Sequence, residues 1–321
     1  MTAPVVLFEI TRQCDRSCPY CYNPDRQAPR AEDLASPRLD RLLDRLGACG
    51  VEEITLIGGE PLTVPQLSTV VSQMARRGLR VGLSTNGLAL DGDRIEELVS
   101  AGVQAFEVSL DSPDARVHGL TTGAPGVDRV RRALLELVQL PVLVTVGAML
   151  TRHTVDQVDE LLSFCFAIGV DRLVLTQLAA VGQARDRWAE LSVSDEELAA
   201  VCALADARAA ELDFAVAIGL PVEPCRLDRA PYPNLQFEAC RCGDAKWVVE
   251  PNGDVRTCEL AEAVVGNLLE RSFDHLRRSE PVAGLARETF SDDCDRCEHW
   301  PICRGGCRFR RALRQGPGTN S

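Results

Sequence analysis

The chain has 321 residues, 35 Lys and Arg against 47 Asp and Glu, a formal net charge of −12, and 14 cysteines. With 45% apolar and 26% charged residues it has a globular composition, which excludes intrinsic disorder, and its length fits one large domain with an appendage or two domains. No stretch approaches the ~20 uninterrupted apolar residues of a membrane-spanning helix, and no basic region followed by an apolar one opens the sequence, so a cytoplasmic protein without membrane contact is expected. The acidic balance argues against a nucleic-acid partner. In a reducing compartment 14 cysteines point to metal or redox chemistry, because a chain this long needs no disulfide framework.

From the N-terminus, short β-branched runs alternate with amphipathic stretches. Strands are expected at 5–10, 53–57, 80–84, 105–110, 142–148 and 172–176, and helices near 37–48, 65–77, 91–100, 127–138 and 155–168. Pro37 and Pro65 stand at first helical positions, and Gly78, Gly102 and Gly169 stand where helices should stop. This alternation implies parallel pairing through right-handed crossovers, hence an α/β sheet or partial barrel. The active site of such a fold lies at the carboxyl ends of its strands. There the sequence turns small, polar and glycine-rich: Gly58-Gly59-Glu60-Pro61, Ser84-Thr85-Asn86-Gly87 and Ser109-Leu110-Asp111. A long helical stretch over 194–212 follows, and then the pattern changes to a hairpin at 247–255 turning at Asn252-Gly253, a short helix at 272–279, a cysteine-dense segment and an arginine-rich tail frayed at 316–321. The expected division is a barrel over 1–215 and a cysteine-rich domain over 216–321.

Cys49, Cys165 and Cys202 sit among apolar or small neighbours in helical patterns and read as core residues. The other cysteines form two groups. Cys14-x3-Cys18-x2-Cys21 offers three thiolates within eight residues just after the first strand, with no fourth ligand nearby, since the first histidine is His118. That set suits an iron–sulfur cluster with one iron left open to a small chelating ligand; a degenerate zinc loop is the alternative. The second group, Cys225, Cys240, Cys242, Cys258, Cys294, Cys297, Cys303 and Cys307, lies in the last hundred residues. None of the four histidines has a partner at metal spacing. Only Lys246 among the basic residues is a lysine, which reads as a compositional habit.

These four strand-end motifs, in this order and spacing, resemble the radical S-adenosylmethionine (radical SAM) enzymes over roughly residues 5–180. The resemblance implies a partial (β/α)6 barrel holding a 4Fe-4S cluster on Cys14, Cys18 and Cys21, whose open iron chelates S-adenosylmethionine. It implies that Gly58, Gly59 and Glu60 meet the methionine ammonium, that Ser84, Asn86 and Ser109 hold the ribose and carboxylate, and that Tyr20 lies against the adenine. Many relatives carry an Arg-Gly that reaches the methionine carboxylate where this chain has Thr122-Gly123-Ala124-Pro125-Gly126. Arg116, Arg129 or neutral donors are left to take that role.

Cys242-x10-Gly253-x4-Cys258 and Cys294-x2-Cys297-x5-Cys303-x3-Cys307 resemble the SPASM extension of this superfamily, which binds auxiliary 4Fe-4S clusters; a zinc ribbon is the alternative. By that pattern one cluster takes Cys242, Cys258, Cys307 and either Cys240 or Cys225. The other takes Cys294, Cys297, Cys303 and a cysteine after Cys307, which this sequence lacks, so Cys225, a non-cysteine ligand or an open iron completes it. Glu259 matches an acidic residue that acts as a base in sulfatase-maturing relatives.

The expected reaction is reductive cleavage of S-adenosylmethionine to a 5′-deoxyadenosyl radical, followed by hydrogen abstraction from a substrate carbon. An electron donor such as flavodoxin or ferredoxin is implied. The expected outcome is oxidation or cross-linking of a peptide or natural-product precursor, although the absence of a leader-binding segment before Val5 counts against a leader-dependent maturase. The alternatives are an epimerase or dehydrogenase of an aminosugar-like small molecule, with Cys225 or Cys240 as hydrogen donor, and a zinc-ribbon scaffold without enzyme activity.

Overall fold

A computed structural model describes residues 3–23, 34, 37–287, 294 and 296–311. Strand–helix units come first: β1 (Val5–Thr11) and α1 (Pro37–Ala48), β2 (Glu53–Gly58) and α2 (Leu67–Arg76), β3 (Arg80–Thr85) and α3 (Gly92–Ala101). Next are β4 (Val103–Ser109) with α4 (Ala115–Thr122) and α5 (Val127–Leu137), β5 (Leu143–Leu150) with α6 (Val158–Ile168), and β6 (Arg172–Gln177). Two single turns, α7 (Gln183–Asp186) and α8 (Trp188–Leu191), lead into α9 (Asp195–Leu212), β7 (Ala215–Gly219) and β8 (Leu235–Phe237). The chain then returns through β9 (Lys246–Val249), β10 (Asp254–Arg256) and β11 (Gly266–Asn267) to α10 (Phe273–Arg277) and α11 (Glu280–Arg287).

Local signals explain the helices. In α1, Leu39, Leu42, Leu43 and Leu46 recur at helical spacing and are all buried. Ser194 and Glu197 form a reciprocal capping box at the start of α9. Gly102 ends α3 with φ of 119°, a conformation that costs a side-chain-bearing residue strain.

All strands join one sheet in the order β11-β10-β9-β1-β2-β3-β4-β5-β6-β7-β8, and its two edges do not pair, so the barrel is open. Strands β9 and β1 through β8 are parallel to their neighbours, while β10 runs antiparallel to β9 and β11 to β10. Alternate strand residues, among them Val6, Phe8, Ile54, Leu56, Leu83, Phe106, Val146 and Leu175, pack with helix leucines and valines into one core. The other set, including Ser84, Glu107, Thr145 and Lys246, therefore lines the concave face, which forms the lumen.

The six expected strands and the expected helices are present. Several elements go beyond the sequence reading. Helix α4 is too short to print a clear amphipathic period. Strand β7 is a five-residue apolar run that periodicity alone does not separate from helix, and it carries the parallel sheet, with β8, past the expected boundary at 215. The expected hairpin forms, but β9 also pairs with β1, from Val5 with Lys246 to Phe8 with Val249. Trp247, fully buried, stacks on Phe273 at 5.3 Å and seals that seam. The tail expected to fray lies outside the described residues.

Candidate active site

The two glycines after β2 serve a backbone contact. A Cβ at Gly58 would overlap the carbonyl oxygen of Thr11, and one at Gly59 would overlap those of Gln13 and Arg12. In their place Gly59 N donates to Thr11 O and Glu60 N to Gln13 O, each at 2.7 Å. The segment that leads into Cys14 is thus laid directly on the strand-end turn. Within the cysteine loop, Arg16 N donates to Cys14 Sγ at 3.4 Å and Cys21 N to Cys18 O at 3.2 Å. Backbone N–H donors on sulfur are what a thiolate ligand uses.

Glu60 is buried, and both of its carboxylate oxygens are engaged. Oε1 accepts from Leu62 N and Thr85 Oγ1 at 3.0 and 2.7 Å, and Oε2 accepts from Asn86 N at 2.7 Å. Burial outweighs these bonds and pushes its carboxyl up to about 7. Glu60 therefore ties the β2 turn to the β3 turn, a role that its motif did not disclose. Asn86 Nδ2 donates to Asp15 Oδ1 at 2.6 Å, carrying the tie on into the cysteine loop. Ser84 Oγ donates to Glu107 Oε1 at 3.3 Å in the lumen, and Ser109 ends β4 in register with Gly147. Tyr20 donates its hydroxyl to Asp111 Oδ2 at 2.6 Å, which fixes the ring beside the cysteine loop; Met149 N donates to Asp111 Oδ1.

Arg16, inside the cysteine loop and only 4% exposed, occupies the place the Arg-Gly departure left in doubt. Its Nη1 donates to Thr122 Oγ1, Ala124 O and Pro125 O at 3.1, 2.8 and 3.2 Å. Arg116 and Arg129 are both exposed. Beside Arg16, His118 is buried and its ring nitrogens have no hydrogen-bond partner among the described residues. Burial, with the Arg16 charge, pushes its imidazole down to about 4, so it is neutral at pH 7. Neither residue stood out in the sequence, because a buried polar contact 106 residues long leaves no local pattern.

Of the second cysteine group, Cys242 shares hydrogen bonds with Cys240 and Cys258, and Cys307 feels the charges of Cys258 and Cys240. These four converge, with Cys240 as the upstream member. Cys225 lies elsewhere: its field acts on Cys303, and its neighbour Glu223 presses on Gly306, where a Cβ would overlap the glutamate. Arg226 and Arg310 both donate to Gln177, which holds the segment around Cys225 against the chain around Cys303 to Arg310. Cys294 and Cys297 are half-buried, with Cys297 N donating to Cys294 O at 3.2 Å. Of the three cysteines read as core, Cys165 and Cys202 are buried and Cys49 is half-buried. No three ligating side chains among the described residues form a cage for a single metal ion. Two groupings of thiols with few other donors suit sulfide-bridged clusters.

Both regions meet at the lumen. Lys246 Nζ donates to Glu259 Oε1 at 2.8 Å. Burial raises the Glu259 carboxyl, but the Lys246 charge and hydrogen bond more than offset it and hold the group below the usual range. The single lysine is thus a lumen residue. Tyr22 donates its hydroxyl to Gly58 O at 3.5 Å, and burial first, then the charges of Glu9, Glu259 and Cys21, push that hydroxyl well above its ordinary value. Glu9 Oε2 accepts from Arg256 Nη2 at 2.5 Å and from Arg12 Nε at 3.1 Å, and Glu250 Oε1 accepts from Arg12 Nη2 and Arg256 Nε.

Two outcomes follow from this geometry. Gly59→Ala should push the Cys14 segment off the β2 turn and lower the iron bound by the first cluster by about a third of the total, read as iron per chain after anaerobic reconstitution. An unchanged count would show that the close approach is dispensable. For cluster-free protein, Glu60 keeps its proton in the folded state up to about pH 7, whereas the unfolded carboxyl, with its ordinary value of 4.5, releases it earlier. Wild-type stability relative to Glu60→Gln should therefore fall as pH rises from 4.5 to about 7 and level off above, measured by urea unfolding.

Residues 8–165 match the radical SAM superfamily and residues 240–299 match SPASM, an iron–sulfur cluster-binding domain. The chain is 25% identical over 331 residues to AdoMet-dependent heme synthase of Oleidesulfovibrio alaskensis, covering 95% of this chain and 82% of that protein. It is 28% identical over 310 residues to PqqA peptide cyclase of Xanthomonas campestris pv. campestris, covering 94% and 81%. Streptococcus suis SuiB, in its complex with precursor peptide SuiA, shares the fold with a TM-score of 0.77 at 18% identity, covering 97% of this chain and 73% of that one. The first match spans the cysteine loop and the strand-end turns and the second spans Cys240, Cys242, Cys258, Cys294 and Cys297; the chain belongs to the radical SAM superfamily, carries a SPASM domain, and has S-adenosylmethionine and 4Fe-4S clusters as its cofactors.

Proposed function

We propose that this enzyme oxidises or cross-links a peptide within the lumen. The observation that carries the reading is the pairing of β1 with both β2 and β9, which sets the strand leading into Cys14 beside the hairpin that leads into Cys258 and Glu259. When bound, the first cluster and S-adenosylmethionine supply a primary carbon radical that takes an unactivated hydrogen atom. The protein's own part is to position the substrate C–H bond, exclude water, and accept a proton at Glu259, oriented by Lys246 at 2.8 Å. Auxiliary clusters close to the same lumen favour an oxidative outcome, because an electron left on the substrate has a place to go. A flavodoxin- or ferredoxin-type donor supplies the initiating electron. The peptide class is supported by the relative named as a peptide cyclase and by the fold shared with a protein crystallised with its precursor peptide.

For the auxiliary clusters we assign Cys240, Cys242, Cys258 and Cys307 to one, and Cys225, Cys294, Cys297 and Cys303 to the other. Gly58, Gly59, Glu60, Ser84, Asn86, Ser109 and Tyr20 surround the cofactor site on Cys14, Cys18 and Cys21.

The test is anaerobic reconstitution followed by incubation with reductant, S-adenosylmethionine and a random-sequence peptide pool, read by mass spectrometry in deuterated water. The expected result is 5′-deoxyadenosine together with peptides lighter by two hydrogens. Solvent deuterium at one carbon without change in redox level would support epimerisation instead. Three complete clusters amount to about twelve irons per chain, and Cys225→Ala should bring that towards about eight.

A further inference from the structure

The lumen contains a carboxylate that the proposed chemistry does not use. Glu107 projects from the middle of β4 into the concave face, in register with Ser84 on one side and Thr145 on the other. It accepts a hydrogen bond from Ser84 Oγ at 3.3 Å. Solvent reaches the side chain even though protein surrounds it on the concave face. The residues beside it on the same face are small: Gly82 and Ser84 on β3, Ala105 on its own strand, Gly147 on β5. A Cβ added at Gly147 would stand 3.5 Å from Glu107 Oε1, so the glycine leaves room at the carboxylate.

Neither cation that acts on Glu107 is ion-paired with it among the described residues. Lys246, from β9, is bonded to Glu259 at 2.8 Å. Arg172, two strands away in the same row, meets Glu238 at 3.9 Å, and its buried Nε has no hydrogen-bond partner among the described residues. Glu238 itself adds a second negative field. Desolvation therefore raises the Glu107 carboxyl, with too little positive charge nearby to offset it. Such a site is left to be completed by a cation from outside.

We propose that Glu107 is a specificity-determining residue that binds an alkylammonium or guanidinium group of the substrate within the lumen. Under the peptide reading above, on which the substrate class rests, the group is the side chain of a lysine or arginine in or beside the modified segment. The small residues around Glu107 admit a long cationic side chain, and the carboxylate ends its path. The interaction is binding only and transfers neither electron nor proton.

The test uses reconstituted enzyme with S-adenosylmethionine and three capped amino acids as probes: the N-acetyl methylamides of lysine, arginine and norleucine, titrated calorimetrically. Lysine and arginine probes should bind wild type about tenfold more tightly than norleucine. Glu107→Gln should reduce that preference to within about twofold, whereas Glu107→Asp should retain most of it. Thr145→Lys, which places a cation beside an intact Glu107, should abolish it too and serves where Glu107→Gln does not fold. Equal binding of the three probes, no binding of any, or a preference that survives Glu107→Gln and Thr145→Lys would overturn the proposal. So would a loss of S-adenosylmethionine affinity in Glu107→Gln, which would assign the carboxylate to the cofactor. A peptide pool that yields no mass change sinks the peptide reading while leaving the probe result standing.

Discussion

The structure depends on β1 being shared. It pairs with β2 on one side and with β9 on the other, so the strand that delivers the first cysteine loop also anchors the hairpin that delivers Cys258 and Glu259. The seam is tied by a buried ion pair, Glu9 with Arg256, each side chain 4% exposed, and extended by Arg12 and Glu250. Removing one partner of such a pair leaves an uncompensated charge and costs about 3–5 kcal/mol. The pairing thus fixes register as much as it adds stability. It is the reason the first cysteine loop and the Cys258-Glu259 segment, more than 200 residues apart in sequence, follow neighbouring strands.

Around that seam the strand-end motifs act on one another before they act on any ligand. Gly58 and Gly59 let backbone lie on backbone beside Cys14, Glu60 gathers three donors from its own turn and the next, and Asn86 reaches Asp15. Arg16 ties the far side of the same loop to the α4–α5 connection. A loop that must hold a cluster with only three thiolates is thereby positioned by neighbours on several strands, which is the preorganisation that radical generation in a confined site requires.

The parallel sheet was legible because each βα unit carries its own period and stop signal. The cysteine sets were legible because ligands to one cluster lie close in sequence. What the sequence could not disclose is long-range. The grouping of Cys240 with Cys242, Cys258 and Cys307 rests on contacts between segments far apart in sequence. The parallel junction of β9 with β1 leaves both strands looking like ordinary apolar runs. Lys246 was visible as a lone lysine, but its meaning came only with Glu259 across from it. Glu107 sits in a strand whose alternation of buried and accessible residues is regular, and nothing local tells a lumen carboxylate from a solvent-facing one.

The account makes the auxiliary hairpin and the first cysteine loop one cooperative unit joined through β1. Hydrogen exchange followed by mass spectrometry in wild type and Arg256→Met tests this most directly, since the variant leaves Glu9 buried with Arg12 alone. The account predicts faster exchange at residues 246–249, at residues 5–8 and through the segment leading to Cys21, all rising together. Faster exchange in the hairpin with β1 and the cysteine loop as protected as in wild type would contradict it.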